Sequence, residues 1–237
     1  MANPPTFRCF VHTCWARLGK LAPTLESLDA SDLAGKYEVL ESPMFNREGG
    51  EVTEQWYKDT LVRLAAEPLP ETGKPPDFVV RFEDDVIVNR YILHNLQTWG
   101  ALRKSEFGLG VLFVWDQQWP PRPCMQRWDR DGNLCRLDLD ICCAQGNVYE
   151  AKHVPVVMDF LERAQGCAGV GHGSATYDNA TTRATRMAGK YVFLHLPSLV
   201  NCHGGSKEST FGSRGHSSDR TFDLNWKHGE SRHFRRP

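Results

Sequence analysis

The sequence of 237 residues is long enough for one large domain or two small ones. Hydrophobic residues make up 41% and charged residues 24%, a balance typical of globular proteins. The net charge of −1 excludes an overall basic field that would attract nucleic acids or acidic membranes. No apolar run approaches the roughly 20 residues that span a bilayer, and the opening MANPPTFRCF lacks the apolar core of a signal peptide. We therefore expect a cytoplasmic protein with no membrane partner.

The first third of the chain alternates strand and helix patterns. Residues 6–13, 36–42 and 78–82 are rich in β-branched and aromatic residues, which predicts strands. Helix patterns lie between them at 18–28 and 51–68. Such alternation is typical of an α/β/α sandwich in which right-handed crossovers build a mostly parallel sheet. Within the first helix pattern, Pro23 suits only a helix start, so we expect the helix to begin there.

The rest of the chain continues the pattern less regularly. Asn89 is a suitable cap for a helix at 90–100, and further elements are predicted as strands or helices at 109–115, 133–146, 154–164, 179–190 and 191–197. After Pro197 the composition changes to Gly, Ser, His and Arg. We therefore expect a domain over 1–203 and a mobile loop or tail over 204–237 that contributes to the site.

Three acids, Glu83, Asp84 and Asp85, directly follow the apolar strand at 78–82. At about 5 Å and an effective dielectric near 20, such carboxylates repel by roughly 3 kcal/mol per pair. Exposure to water or a bound cation would offset that repulsion. Ligands of open α/β sheets bind beyond the carboxyl ends of the strands. The alternation of a strand predicts that Glu83 and Asp85 share a face while Asp84 points away. Two oxygen ligands at such an edge suit Mg²⁺ or Mn²⁺ with a substrate diphosphate.

Three stretches together resemble the glycosyltransferases of the type A fold, which use nucleotide-sugar donors. Glu83–Asp85 is similar to their acidic metal motif, written Asp-x-Asp with common Glu variants. Thr13, Arg17 and the TLESL of Thr24–Leu28 resemble their first strand and helix. The LPSLVNCHGG of Leu196–Gly205 resembles a run near the end of several such families. The resemblance implies a Rossmann-like type A fold and transfer of a sugar, most commonly from a UDP-sugar.

The resemblance also implies a site for Mn²⁺ or Mg²⁺. Asp85, the last acid of the motif, would bind the metal, and a histidine after the PSLV run would complete its shell. His203 is that histidine, although Cys202 places it one position later than in the family pattern. His216 is the alternative.

The nucleotide would lie beside four residues. Thr13 and Arg17 would line it, because a guanidinium suits stacking on a base or contact with phosphate. Glu83 would reach the ribose or a metal-bound water. Asp84 would either contact the ligand or have a structural role. A solvated charge at the helix entry is the alternative for Arg17.

Asp178 is the candidate catalytic base. An inverting transfer needs a carboxylate that takes the proton of the acceptor hydroxyl, and Asp178 precedes a helix in the region where the resembling families often keep such an acid. Aspartate is also a common helix cap, and retaining enzymes of this fold need no base.

Two other functions stay open, namely a nucleotidyltransferase that uses the same acids and a binding module without activity. The acceptor is an unidentified hydroxyl. A modified nucleic-acid base remains a less favoured acceptor, because GSRGHSSDR and SRHFRRP are locally basic.

Overall fold

A computed structural model of the protein describes residues 3–14, 17–43, 50–114, 126–128, 130, 132–136, 145–166, 177–203 and 221–230. The strands are β1 (Phe7–Cys14), β2 (Tyr37–Ser42), β3 (Phe78–Glu83), β4 (Val86–Val88), β5 (Phe107–Val111), β6 (Gln126–Trp128), β7 (Leu134–Arg136), β8 (Gly146–Glu150), β9 (Tyr191–Leu194) and β10 (Val200–Cys202). The α-helices are α1 (Leu18–Asp29), α2 (Gly50–Ala66), α3 (Ile92–Thr98), α4 (Val154–Gly166) and α5 (Tyr177–Met187). Short 3₁₀ helices cover Gly100–Arg103 and Ala151–His153.

The central sheet has eight strands among the described residues, in the order β2-β1-β3-β8-β5-β9-β7-β6. Strands β2, β1 and β3 are parallel, β8 is antiparallel to both β3 and β5, and β9 is parallel to β5. At the far edge β7 runs antiparallel to both of its neighbours. All of these strands except β8 and β7 therefore point the same way, which confirms the predicted α/β class with a mostly parallel sheet.

The strand order creates a switch point between β1 and β3. The connection through α1 runs from β1 outward to β2, and the connection through α2 returns across β1 to β3. Right-handed crossovers in opposite directions place α1 and α2 on opposite faces of the sheet. The crevice at the carboxyl ends of such a strand pair is where open α/β sheets bind ligands. In this chain the pair ends in Cys14 and Glu83.

The core lies on both faces of the central strands. Every residue from Phe78 to Phe82 is buried, as expected for a strand covered on both sides. Helix α2 packs Tyr57, Leu61 and Leu64 inward with no more than 2% exposure, and it forms one layer with α4 and α5. No helix in the described ranges is both long enough and apolar enough to cross a membrane.

Two local predictions about helix starts were wrong. Helix α1 begins at Leu18, so Pro23 lies inside it. Helix α3 begins at Ile92, so Asn89 is not its N-cap residue: its Oδ1 accepts from the amide of Tyr91 before the helix, and its amide nitrogen donates to the carbonyls of Asp223 and Trp226. The amides of Leu93 and His94, the second and third residues of α3, donate to the carboxylate of Asp32 at 2.8 and 2.9 Å, which suits the positive end of a helix.

The end of the described chain packs against the domain. Trp226 is 9% exposed and belongs to the core. The hydroxyl groups of Thr221 and Ser198 are hydrogen-bonded to each other at 2.6 Å. The backbone amide of Arg90 donates to the carbonyl of Leu224. The expected mobile segment over 204–237 therefore does not include residues 221–230. Residues 204–220 and 231–237, with His216, lie outside the described residues.

Candidate functional site

Glu83 is the last residue of β3, and Asp84 and Asp85 form the turn that leads to β4, at the switch point beside the end of β1. Asp84 is 2% exposed, and both of its carboxylate oxygens are occupied. The hydroxyl of Thr13 donates to Oδ2 at 2.7 Å, and Nε of Arg17 donates to Oδ1 at 2.7 Å. Burial raises the pKa of Asp84 above its usual range, and the charge of Arg17 and the hydroxyl of Thr13 oppose this shift only in part.

Arg17 also binds Asp85, with its Nη2 2.6 Å from Oδ2. One guanidinium therefore bridges two adjacent carboxylates. Burial alone would lower the pKa of Arg17, but the charges of Asp85 and Asp84 raise it above its ordinary value. The repulsion expected between these two acids is thus offset by an arginine of the chain itself.

Side chains of α1 hold the backbone of the acidic turn. The hydroxyl of Thr24 donates to the carbonyl of Asp84 at 2.9 Å and accepts from the amide of Val86 at 3.0 Å. The hydroxyl of Ser27 accepts from the amide of Val88 at 3.2 Å. Thr24 is fully buried. These two residues of TLESL are supports that sequence reasoning missed. Thr24 and Ser27 are three positions apart and therefore lie on one face of the helix. That spacing was the sequence signal that could have predicted their contact with the strand end.

The pairing of β4 with β10 brings the PSLV run to the acids. Cys202 lies opposite Val86 in this antiparallel pair, and the next amide, that of His203, donates to the carbonyl of Asp85 at 3.0 Å. The imidazole Nε2 of His203 donates to the carbonyl of Lys20 at 3.0 Å. In a neutral ring the lone pair is then on Nδ1. The two residues predicted to bind metal, Asp85 and His203, are therefore neighbours in space.

The donor set fits a divalent ion only in part. Asp85 Oδ1 is buried and has no hydrogen-bond partner among the described residues, which is costly for a carboxylate oxygen unless a ligand occupies it. His203 Nδ1 could supply a second contact. Within the described ranges no three His, Cys, Asp or Glu side chains form a group that could hold a metal. The residues therefore fit an ion whose other ligands come from a diphosphate and water.

Glu83 belongs to the opposite face of the sheet. Its carboxylate lies 3.3 Å from Nη2 of Arg81, and the same nitrogen donates to Nδ1 of His12 at 3.1 Å. The ring of His12 stacks on Trp56 of α2. Burial, together with the nearby arginine charges, lowers the pKa of His12 to about 3, so this histidine is neutral. The expectation that Glu83 and Asp85 share a face was wrong, because the chain turns after Glu83 and pairs Asp84 with Asp85 instead.

The other predicted residues divide into two groups. Thr13 and Arg17 lie at the switch point, where both contact the acids. Their predicted contact with a nucleotide stays a prediction. Asp178 is the second residue of α5, and its side chain lies outside the described residues, so its role as a base also stays a prediction.

No family model matches the chain, and no curated protein matches its sequence. Similar solved structures include two of the glycosyltransferase GlyE of Streptococcus pneumoniae TIGR4. The apo form has 12% identity over 79% of this chain and 44% of that chain, with a TM-score of 0.40. The second has 11% identity over 80% of this chain and 45% of that chain, with a TM-score of 0.43. This chain therefore spans less than half the length of GlyE.

A third similar structure is a glycosyltransferase involved in the glycosylation of the major capsid of PBCV-1. It has 13% identity over 84% of this chain and 96% of that chain, with a TM-score of 0.45.

Proposed function

We propose that the protein is a metal-dependent glycosyltransferase that moves a sugar from a nucleotide-sugar donor, most simply a UDP-sugar, to a hydroxyl acceptor. One observation carries the proposal. Asp85 lies at the β1–β3 switch point with its Oδ1 buried and unbonded among the described residues, next to His203. The reaction class is the one implied by the sequence resemblance. The geometry adds that its two candidate metal residues, more than a hundred positions apart in sequence, are adjacent in the fold.

In this proposal Asp85 and His203 would hold Mn²⁺ or Mg²⁺, through Oδ1 and Nδ1. The bound ion would neutralise the diphosphate and make the nucleoside diphosphate a better leaving group. We assign Asp84 a structural role, because it is 2% exposed and both of its oxygens already accept bonds from Thr13 and Arg17. Its part is to fix Arg17, and through Arg17 the carboxylate of Asp85. Such preorganisation is what makes electrostatic catalysis effective.

Glu83 is paired with Arg81 and not hydrogen-bonded to Arg17 in any described contact, although its charge acts on Arg17. It is bound to Arg81 on the α2 face, so contact with the ribose would require it to leave that ion pair. Asp178, whose side chain is not described, remains the proposed base for an inverting reaction. Neither residue is needed for binding of the metal and the diphosphate.

The test is a screen of nucleotide sugars that measures release of free nucleoside diphosphate with Mn²⁺ and with chelator. We expect release only with metal. Asp85→Asn should lower the rate roughly 100-fold, the size typical of losing one electrostatic contact in an active site. Asp159→Asn is the matched control, because Asp159 is exposed on α4. Full release in excess chelator, or an Asp85→Asn variant as active as the control, would contradict the proposal.

The same screen separates the other two functions. A nucleotidyltransferase would release pyrophosphate from a nucleoside triphosphate and not nucleoside diphosphate from a sugar nucleotide. A binding module would bind the sugar nucleotide without turnover. Product analysis by mass spectrometry therefore identifies which of the three holds.

A further inference from the structure

Asp84 and Asp85, which we call the acid pair, are bridged by Arg17, and the net charge of this group indicates how a metal ion would bind. Arg17 contributes one positive charge and the two aspartates contribute two negative charges, so the net charge of these three side chains is −1. The charge of Glu83 also acts on Arg17, but Arg81, which pairs with Glu83, adds a positive charge that compensates it. A free divalent ion would therefore meet a weakly negative site that already contains a cation.

The number of carboxylate oxygens that a metal ion could use also indicates weak binding of a free ion. Thr13 and Arg17 occupy both oxygens of Asp84, and Arg17 occupies Oδ2 of Asp85. Of the four carboxylate oxygens, only Asp85 Oδ1 lacks a partner among the described residues. Mg²⁺ requires near-octahedral coordination, and metal affinity rises with the number of charged ligands. One carboxylate oxygen and one imidazole nitrogen are a poor site for a free ion.

We propose that Arg17 is the built-in counter-cation of the acid pair, so that the site admits a divalent cation only as its complex with a diphosphate. The proposal rests on the proposed function for the identity of the ligand. Arg17 holds Asp85 through Oδ2, which leaves Oδ1 as the oxygen without a partner among the described residues, and it also repels a bare ion. A diphosphate brings the missing oxygens and the negative charge that cancels this repulsion. Metal and nucleotide therefore bind with positive coupling, and each raises the affinity for the other by the same factor.

Arg17→Met tests the role of the charge. The substitution removes the guanidinium while keeping an unbranched side chain, and it releases Asp84 Oδ1 and Asp85 Oδ2 as ligands. The measurement is titration with Mn²⁺ alone, followed by electron paramagnetic resonance of the unbound ion. We expect Arg17→Met to bind free Mn²⁺ at least roughly tenfold more tightly than the unchanged protein. Arg17→Lys keeps the charge and should stay weak.

The unchanged protein gives a second test that does not depend on folding of a variant. UDP should tighten Mn²⁺ binding by about tenfold or more, and uridine, which lacks the diphosphate, should not. Equal Mn²⁺ affinity of the unchanged protein and a folded Arg17→Met would overturn the proposal, as would Mn²⁺ binding that UDP leaves unchanged. If both metal titrations behave as expected but no donor is turned over, the proposed glycosyl transfer fails while the role of Arg17 stands.

Discussion

His195 should make the stability of the protein fall at mildly acidic pH. The residue follows β9 and is 3% exposed, and its ring lies between Trp99 and Trp226 at centroid distances of 5.0 and 5.7 Å. Its Nδ1 donates to the carbonyl of Pro197 at 2.7 Å. Burial lowers the pKa to about 4, His228 adds to the shift, and the bond to Pro197 opposes it.

The sign and size follow from this shift. The unfolded chain takes up a proton near pH 6.5, whereas folded His195 stays neutral down to about pH 4. The stabilisation is therefore complete above pH 6.5 and is lost as the pH falls toward 4. At about 1.4 kcal/mol per pKa unit, the loss attributable to this one side chain is about 3 kcal/mol.

Urea unfolding followed by tryptophan fluorescence at pH 7, 5.5 and 4 checks the prediction. His195→Asn keeps a donor near the position of Nδ1 but does not titrate, so it should lose about 3 kcal/mol less than the unchanged protein between pH 6.5 and 4. His195→Phe loses the bond as well and should show the same flattened dependence at a different absolute stability. Contributions from His12 are common to all three proteins. Parallel curves for all three would refute the reasoning.

Four further substitutions test the packing of the domain. Gly110→Ala should lower the free energy of unfolding in urea by about 1–3 kcal/mol, because the new Cβ would lie 2.7 Å from the ring of Trp99. Gly19→Ala should instead raise the free energy of unfolding by about 0.5–1 kcal/mol, because Gly19 lies in helix α1 and its new Cβ would have no atom within 4 Å. Thr24→Val should cost about 1–3 kcal/mol by leaving two buried backbone groups of the acidic turn unpaired, and unchanged stability would mean that water replaces the hydroxyl. Trp226→Ala should cost about 3–5 kcal/mol and expose residues 221–230 to limited proteolysis, whereas unaltered cleavage would contradict their anchoring.

The elements of the chain were predictable where local pattern and tertiary environment agree. The apolar run Phe78–Phe82 became a strand buried on both faces, and the alternation of strands and helices gave the α/β class. The failures came where a partner distant in sequence replaced a local one. Asn89 was predicted to cap α3, but its Oδ1 reaches the amide of Tyr91 before the helix, whereas Asp32, 61 residues away in sequence, accepts from the helix amide of Leu93. Residues 221–230 looked mobile, but Trp226 packs into the core.

The sequence by itself determined that an acidic turn follows a buried strand and that a PSLV run with a histidine comes late in the chain. Both features are set by residues adjacent in sequence, and both are present in the structure. Only the tertiary structure decided how these pieces meet. The β4–β10 pairing places His203 against Asp85, and the turn after Glu83 sends one acid to Arg81 and two to Arg17. Strand alternation could not show this, because it holds only while the chain is extended, and β3 ends at Glu83. The counter-charge that each carboxylate receives depends on which strands become neighbours.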